Sequence, residues 1–160
     1  MCDYSLHGVK NRLATEGEQL FVNTFHTGSK GLASKADYEA RRPVGIMRLL
    51  SFVGAVVSKV SFDLPAVCVP PGARLRLSGI PKGSQQEFGV SAIEEVVFTQ
   101  RSPESFGYRD EFRFSNGESA LIQLFHEGLR VEVMSLELEE KAGAVAVPVN
   151  QVERGMRANA

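Results

Sequence analysis

Apolar and polar residues alternate most regularly between residues 109 and 138, in three stretches separated by two breaks. The breaks fall at residues 115–117 and 126–128 and contain an Asn-Gly pair and a Glu-Gly pair. Glycine in such pairs provides the positive φ that tight hairpin turns require. The pattern therefore predicts an antiparallel meander of three strands.

Further apolar or alternating stretches occur at residues 19–25, 66–69, 74–78 and 90–100. We expect these to be strands as well, with a bulge where Glu94 and Glu95 lie side by side. Residues 27–34 and 79–89 are rich in glycine and serine and are expected to be loops. Several short strands joined by Gly- and Pro-containing turns predict a mainly β fold, a small antiparallel β-barrel or sandwich.

The 160 residues are sufficient for one domain with its own core. We place it at residues 1–146, with a helical insertion at about 35–62, and expect residues 147–160 to form a flexible tail. Within the insertion, residues 44–60 predict an amphipathic helix, although their many β-branched residues also suit a buried strand pair broken at Gly54. The apolar face of the helix would consist of Ile46, Leu49, Leu50, Val53, Val56, Val57 and Val60.

The apolar helix is best suited to docking on a protein partner or on a second copy of the chain. Arg41, Arg42, Arg48 and Lys59 would also suit an anionic membrane surface. A transmembrane span is disfavoured because only ten residues lie between Arg48 and Lys59, whereas a span needs about 20. The remaining alternative is a helix that caps an open end of the barrel.

The composition is that of an ordinary globular protein, with 43% hydrophobic and 23% charged residues. A net charge of −1 argues against nucleic-acid binding, which normally requires a basic surface. Two cysteines are too few for a disulfide scaffold and indicate a reducing compartment. Residues 1–7 have neither the basic nor the apolar region of a signal peptide, so we expect a cytoplasmic protein of bacterial type.

Cys2 is the main candidate for a catalytic residue. Removal of Met1 would leave a free α-amino group that can act as the base for the Cys2 thiol, and Tyr4 and His7 could assist. The Met-Cys start resembles that of N-terminal-nucleophile amidotransferases and of proteins that crosslink to abasic DNA. Both usually continue with Gly, whereas this chain has Asp3, whose carboxylate disfavours a thiolate. The alternative is a small buried side chain without chemistry.

Cys2, His7 and Cys68 are the candidate metal ligands, because zinc prefers thiolate and imidazole donors. They would converge only if the regions that contain them meet in the barrel. The chain has no Cys-x-x-Cys or His-x-x-x-His pair, which local zinc sites usually contain. Residues 29–31, Ser-Lys-Gly, lack the frame of a phosphate-binding loop, so no cofactor is assigned.

Three segments carry a resemblance to a known group of proteins: residues 1–7 (MCDYSLH), residues 66–72 (AVCVPPG), and residues 110–136 with FSNG and HEGLRVEVMSL. Together they resemble a family of small alphaproteobacterial proteins without an assigned function. The resemblance implies the same β-rich fold and no particular chemistry. Residues 35–62 depart from it and look like an insertion.

These observations predict a non-catalytic accessory protein that docks on a larger partner or assembly through the inserted apolar helix. Two alternatives remain open. One is an N-terminal-cysteine thiol protein with Cys2 as the nucleophile, and the other is a Cys/His metal-binding protein. We expect a protein partner or a homo-oligomer, and no nucleic acid.

Overall fold

The structure is a computed structural model that describes residues 4–41, 64–102 and 107–136. Its strands are β1 (Asn11–Leu13), β2 (Gln19–Thr24), β3 (Lys30–Ser34), β4 (Ala66–Cys68), β5 (Arg74–Ser78), β6 (Ile93–Gln100), β7 (Asp110–Phe114), β8 (Ser119–Leu121) and β9 (Arg130–Ser135). The described ranges also contain the helices α1 (Lys35–Arg41) and α2 (Lys82–Phe88), and two 3-10 turns, η1 (Tyr4–Leu6) and η2 (Ile122–Leu124).

The prediction of a mainly β fold is confirmed. Within the described ranges the strands form one mixed sheet that curls into a half-barrel. Their order across the sheet is β1-β4-β3-β2-β9-β5-β6-β7-β8. Most neighbours are antiparallel, and β1 is parallel to β4. The sheet is therefore open, with the short strands β1 and β8 at its two edges.

The predicted meander at residues 109–138 is wrong in its pairing. β7 and β8 form the expected hairpin, with Gly117 at a φ of 92° in the turn. β9, however, lies between β2 and β5 and is antiparallel to both. Its buried Val131 is the register partner of Leu20 on one side and of Leu77 on the other. The strand thus completes an apolar face that exists only in the folded sheet, which local alternation could not reveal.

The inner face of the half-barrel carries one continuous set of buried apolar side chains, here called the large cluster. Along β2, β5, β6, β7 and β9 the buried residues alternate with more exposed ones, as expected for strands with one face in a core. Burial stabilises by about 25 cal/mol per Å² of apolar surface. The members are Ala14, Leu20, Val22, Leu32, Val67, Val69, Ala73, Leu75, Leu77, Ile80, Val96, Phe98, Phe112, Phe114, Ala120, Ile122, Phe125, Leu129, Val131 and Val133.

Hydrogen bonds between β3 and η2 draw the two flanks of the curled sheet together, although these elements are far apart in the strand order. The Lys30 N–H donates to Gln123 Oε1 at 3.0 Å, and Gln123 Nε2 donates to Lys30 O at 2.8 Å. Lys30 Nζ also donates to the carbonyl oxygens of Gln123 at 2.9 Å and Phe125 at 2.6 Å. These four bonds satisfy polar groups that the curvature would otherwise leave partly buried and unpaired.

The outer face of β2, β3 and β4 carries a second apolar set, here called the small cluster. It consists of Leu6, Val9, Phe25, Ala33, Leu64 and Ala66, with Phe21 packed against it. Phe21, Ala33 and Ala66 are register partners across the three strands and therefore share one face. The adjacent residues Leu32 and Val67 belong to the large cluster, so this part of the sheet is buried on both sides.

Two predicted loops contain regular structure. Residues 27–34 include β3, in which a Cβ at Gly31 would lie only 2.7 Å from Leu6 Cδ1, so glycine permits the close approach of η1. Residues 79–89 include α2, whose Phe88 ring stacks on Phe114 at a centroid distance of 5.9 Å. Gly89 ends α2 at a φ of 63°. Glycine in both segments serves packing or capping, and the loop predictions were wrong.

Other boundaries also differ from the prediction. β1 had not been predicted, and β8 is shorter than the expected strand because η2 follows it. The register shift lies between Arg74 and Leu75, opposite β9, and the pairing of β5 with β6 is regular through Glu94 and Glu95. The predicted apolar helix at residues 44–60 and the predicted tail at residues 147–160 lie outside the described residues.

Candidate functional site

Tyr4 and His7, two of the predicted catalytic residues, belong to an N-terminal segment that packs on the outer face of the sheet. η1 contains Tyr4 and ends at Leu6, which is buried in the small cluster. His7 follows and is exposed, and Val9 returns to the small cluster. A hydrogen bond from the Val9 N–H to Leu6 O, at 3.0 Å, closes this turn. The turn thus buries two apolar residues and leaves the imidazole at the surface.

β4 brings Cys68 to the same region. The Ala66 N–H donates to Lys10 O at 2.7 Å, and the Ala14 N–H donates to Cys68 O at 3.0 Å, so residues 10–14 run alongside β4. Cys68 is 6% exposed and, two residues after Ala66, lies on the outer-face side of β4. It is disulfide-bonded. The structure therefore brings the strand of Cys68 next to the segment that contains His7.

The disulfide changes the chemistry open to Cys68. A sulfur atom in a disulfide is not a thiolate, so it can act as a zinc ligand or nucleophile only after reduction. Cys2 lies outside the described residues, and its roles as nucleophile and metal ligand stay predictions. In the part of the chain that the structure describes, no three His, Cys, Asp or Glu side chains are grouped as a metal site would require.

A polar network that was not predicted from the sequence is centred on Arg12 in β1. Its guanidinium forms a two-pronged ion pair with Glu18, with Nη1 3.2 Å from Oε2 and Nη2 bonded to Oε1. Nε and Nη2 also donate to Asp37 Oδ2 at 3.1 and 2.9 Å. The Glu18 carboxylate accepts a further bond from the Thr15 N–H at 3.0 Å. The network joins β1, the turn before β2, and α1.

The charges of this network follow from its geometry. Partial burial by itself raises the pKa of Glu18, but the hydrogen bonds from Arg12 and the Thr15 N–H outweigh it and lower the pKa from 4.5 to about 2. The hydrogen bond to Glu18 raises the pKa of Arg12, against the opposing effect of burial. Both groups are charged at neutral pH, so the network fastens α1 to the sheet and supplies no proton donor or acceptor there.

Charged residues in register occupy the outer face of β9, β5 and β6. Arg76 lies between Glu132 and Glu95, with Nη1 3.5 Å from Glu132 Oε2 and Nη2 3.2 Å from Glu95 Oε1. Arg74 Nη2 lies 3.1 Å from Glu95 Oε2. The hydrogen bond from Arg76, and to a smaller extent that from Arg74, lowers the pKa of Glu95. Opposite charges across strands favour pairing modestly, and we interpret this row as a solvated face of the sheet.

The Arg12 network is not evident from the sequence because Asp37 is 25 residues away from Arg12 along the chain. Asp37 reaches Arg12 only because α1 packs against β2 and β3 while β1 pairs with β4. No spacing rule indicates such a pair. The position of Arg76 and Glu95 could be predicted from the sequence, because each lies on the polar side of a predicted strand.

The seven residues predicted to dock on a partner, from Ile46 to Val60, lie outside the described residues. The described ranges show where the segment that contains them is attached. Before it, α1 contacts the sheet through an edge-to-face pair of Tyr38 and Phe21, with ring centroids 5.9 Å apart. After it, Leu64 is buried in the small cluster at 4% exposure. Both attachment points therefore lie on the small-cluster side of the sheet.

Comparison with known proteins gives no family for the chain: no family model, curated protein or solved structure matches it. The resemblance to the alphaproteobacterial family stays a prediction. No helix in the described ranges has the length and apolar content needed to span a membrane.

Proposed function

We propose that this protein is a non-catalytic interaction protein that binds a larger protein partner through the apolar residues of segment 44–60. The observation that carries the proposal is the large cluster, to which most strands of the described ranges and the turns between them contribute buried apolar side chains. Val22, Leu75 and Phe112, from three different strands of the half-barrel, have no exposed surface. An amphipathic helix with seven large apolar residues then needs a different apolar surface, and a protein partner supplies one.

The attachment of the segment supports this role. α1 is held by the ion pair between Asp37 and Arg12 and by the contact of Tyr38 with Phe21. Leu64 fixes the other end in the small cluster. A docking element anchored at both ends loses less conformational freedom on binding than a free peptide, which favours affinity.

The ion pairs of the described ranges support a non-catalytic role. Arg12 is matched by Glu18 and Asp37, and Arg76 by Glu132 and Glu95. A catalytic acid or base usually has a pKa moved towards neutrality, whereas the carboxylates of Glu18 and Glu95 are moved away from it. These groups therefore hold the fold together and are poor candidates for general acid–base work.

The test uses the full chain with an affinity tag, expressed in its own source cells and examined by native mass spectrometry. Leu49→Glu and Val53→Glu place a charge on the predicted apolar face, and Ser51→Glu is the matched control on its polar side. We expect the wild type and Ser51→Glu to retain a stoichiometric protein partner that both apolar variants lose. All the variants should keep the circular dichroism spectrum of the wild type.

A homo-oligomer with the same sensitivity to these variants would keep the docking role and make a second copy the partner. Unfolding of the apolar variants would assign segment 44–60 to the core and overturn the proposal. A monomeric wild type without any stoichiometric partner would overturn it as well.

A further inference from the structure

Cys68 has chemistry that the proposed function does not use. It is buried and disulfide-bonded, and the described ranges contain no second cysteine. The sequence has one other cysteine, Cys2. We propose that Cys2 is the disulfide partner of Cys68 in the same chain, and that this bond is a redox-sensitive latch that fastens the N-terminal segment onto the outer face of the sheet. The inference is independent of the docking role.

The packing of the N-terminal segment brings residues 6–10 next to the strand that contains Cys68. Leu6 and Val9 bury their side chains in the small cluster beside Ala66, which is two residues before Cys68 and on the same face of β4. The Ala66 N–H also bonds to Lys10 O at 2.7 Å. From Tyr4, where the described residues begin, two further residues extend by at most about 7 Å.

The chemistry of the latch is thiol–disulfide exchange with a low-molecular-weight thiol of the glutathione class. A first thiolate attacks one sulfur of the disulfide, which forms a mixed disulfide and releases the other cysteine as a thiolate. A second thiol then attacks the mixed disulfide and releases the remaining cysteine. Overall, two thiols become one small disulfide, and the protein gains two electrons and two protons. The reverse exchange with the small disulfide closes the latch.

Reduction should act mainly on the small cluster. A disulfide that closes a long loop limits the freedom of the unfolded chain, and its loss makes opening easier. Without it, the N-terminal segment is held by Leu6, Val9 and a few backbone bonds, among them the bond from the Ala66 N–H to Lys10 O. Among the described residues, the first member of the large cluster is Ala14, so the strands of that cluster should be less affected than the N-terminal segment.

The test compares the full-length wild-type protein before and after treatment with reduced glutathione or dithiothreitol. Before treatment, alkylation with iodoacetamide should label neither cysteine, and the protein should run as a monomer on a non-reducing gel. After treatment, both should be labelled, and amide exchange at Val9 and Ala66 should become at least tenfold faster. The Phe98 amide, which bonds to Ala73 O in the large cluster, should remain the slowest of the three in both redox states. The melting temperature should fall by about 10 °C.

Cys2→Ser and Cys68→Ser should each reproduce the exchange pattern of the reduced wild type, and the double variant should no longer respond to the reductant. Should the variants fail to fold, the comparison of oxidised with reduced wild type still decides the question. Alkylation of both cysteines before reduction, or a disulfide-linked dimer, would overturn the intramolecular bond. Equal exchange at Val9 and Ala66 in both redox states would overturn the latch.

Discussion

The large cluster and the small cluster lie on opposite faces of one sheet and are assembled in different ways. Most residues of the large cluster come from strands whose apolar residues alternate, so each strand contributes several contacts. The small cluster combines single residues from distant parts of the chain, such as Leu6, Phe25 and Leu64. Polar and covalent links supplement it: the Arg12 network beside it and the disulfide at Cys68.

The comparison indicates where the molecule would open first. Regions with few buried contacts open locally at a lower free energy than a continuous core. The small cluster has six members among the described residues, of which Leu6 and Val9 hold the N-terminal segment and Leu64 holds the return from segment 44–60. The large cluster is therefore the scaffold, and the elements with proposed functions are attached to the small-cluster side.

The largest difference is expected from truncation of a buried side chain in each cluster. Phe112→Ala removes a fully buried ring that lies 5.5 Å from the ring of Phe125 and should lower the free energy of unfolding by about 3–5 kcal/mol. Leu6→Ala should cost about 2 kcal/mol, because the N-terminal segment can adjust to the smaller side chain. Ile93→Ala, at a site 61% exposed, is the control and should change little. Urea unfolding measures all three, and equal costs at Phe112 and Leu6 would remove the distinction between the clusters.

Gly31 offers a more local test of the small cluster. Gly31→Ala places a methyl group 2.7 Å from Leu6 Cδ1, so the N-terminal segment must shift at a cost of about 1–3 kcal/mol. Gly83→Ala in α2 is the matched control, because a Cβ there meets nothing within 4 Å. The control should be neutral or stabilise by up to about 1 kcal/mol. Thermal melts of the two variants check this, and a neutral Gly31→Ala would mean that Leu6 does not rest on β3.

Glu18 gives a test of the Arg12 network that depends on pH. Glu18→Gln removes the carboxylate that pairs with Arg12, and at pH 7 it should lower the free energy of unfolding by about 1–2 kcal/mol, after allowance for solvent screening. The pKa of Glu18 is lowered from 4.5 to about 2 in the folded protein. The contribution is therefore complete above pH 4.5 and is lost as the pH falls towards 2.

Urea unfolding at a series of pH values measures the difference between wild type and Glu18→Gln. This difference in the free energy of unfolding should be constant above pH 4.5 and should vanish near pH 2. Glu127→Gln, which makes the same substitution in an exposed turn, is the control. A difference that grew as the pH fell would contradict the ion pair.

The smallest effect is expected on the solvated outer face. Glu95 bonds Arg74 and Arg76 but is half exposed, so water and salt screen both pairs. Glu95→Gln should leave the melting temperature unchanged within error, both in low salt and in 0.5 M salt, which is about three times a physiological ionic strength of ~0.15 M. A clear loss of stability that salt abolished would show that the charged row holds the sheet together.

Local patterns predicted much of the scaffold and little of its assembly. Alternation identified β2, β5 and β7, because each has one face in the large cluster. Alternation could not show that β9 pairs with β2 and β5 instead of β8, because these partner strands are distant along the chain. Gly31 in β3 had indicated a loop, although its role is to admit Leu6.

For the candidate site, residue types could be read from the sequence, but the residues that contact them in the folded protein could not. Cys68 was predicted as a metal ligand, and its disulfide state depends on contacts across the chain. The Arg12 network was not predicted, because α1 and β1 meet only in the folded protein.

The central claim is that the apolar residues of segment 44–60 serve a partner and not the core. The most direct measurement is the free energy of unfolding of two variants with the same chemical change, Val53→Glu and Val131→Glu. Val131 has no exposed surface in the large cluster, so a charge there should abolish folding. We expect Val53→Glu to stay folded, with a stability within about 1 kcal/mol of the wild type. Unfolding of Val53→Glu to the same extent as Val131→Glu would contradict it.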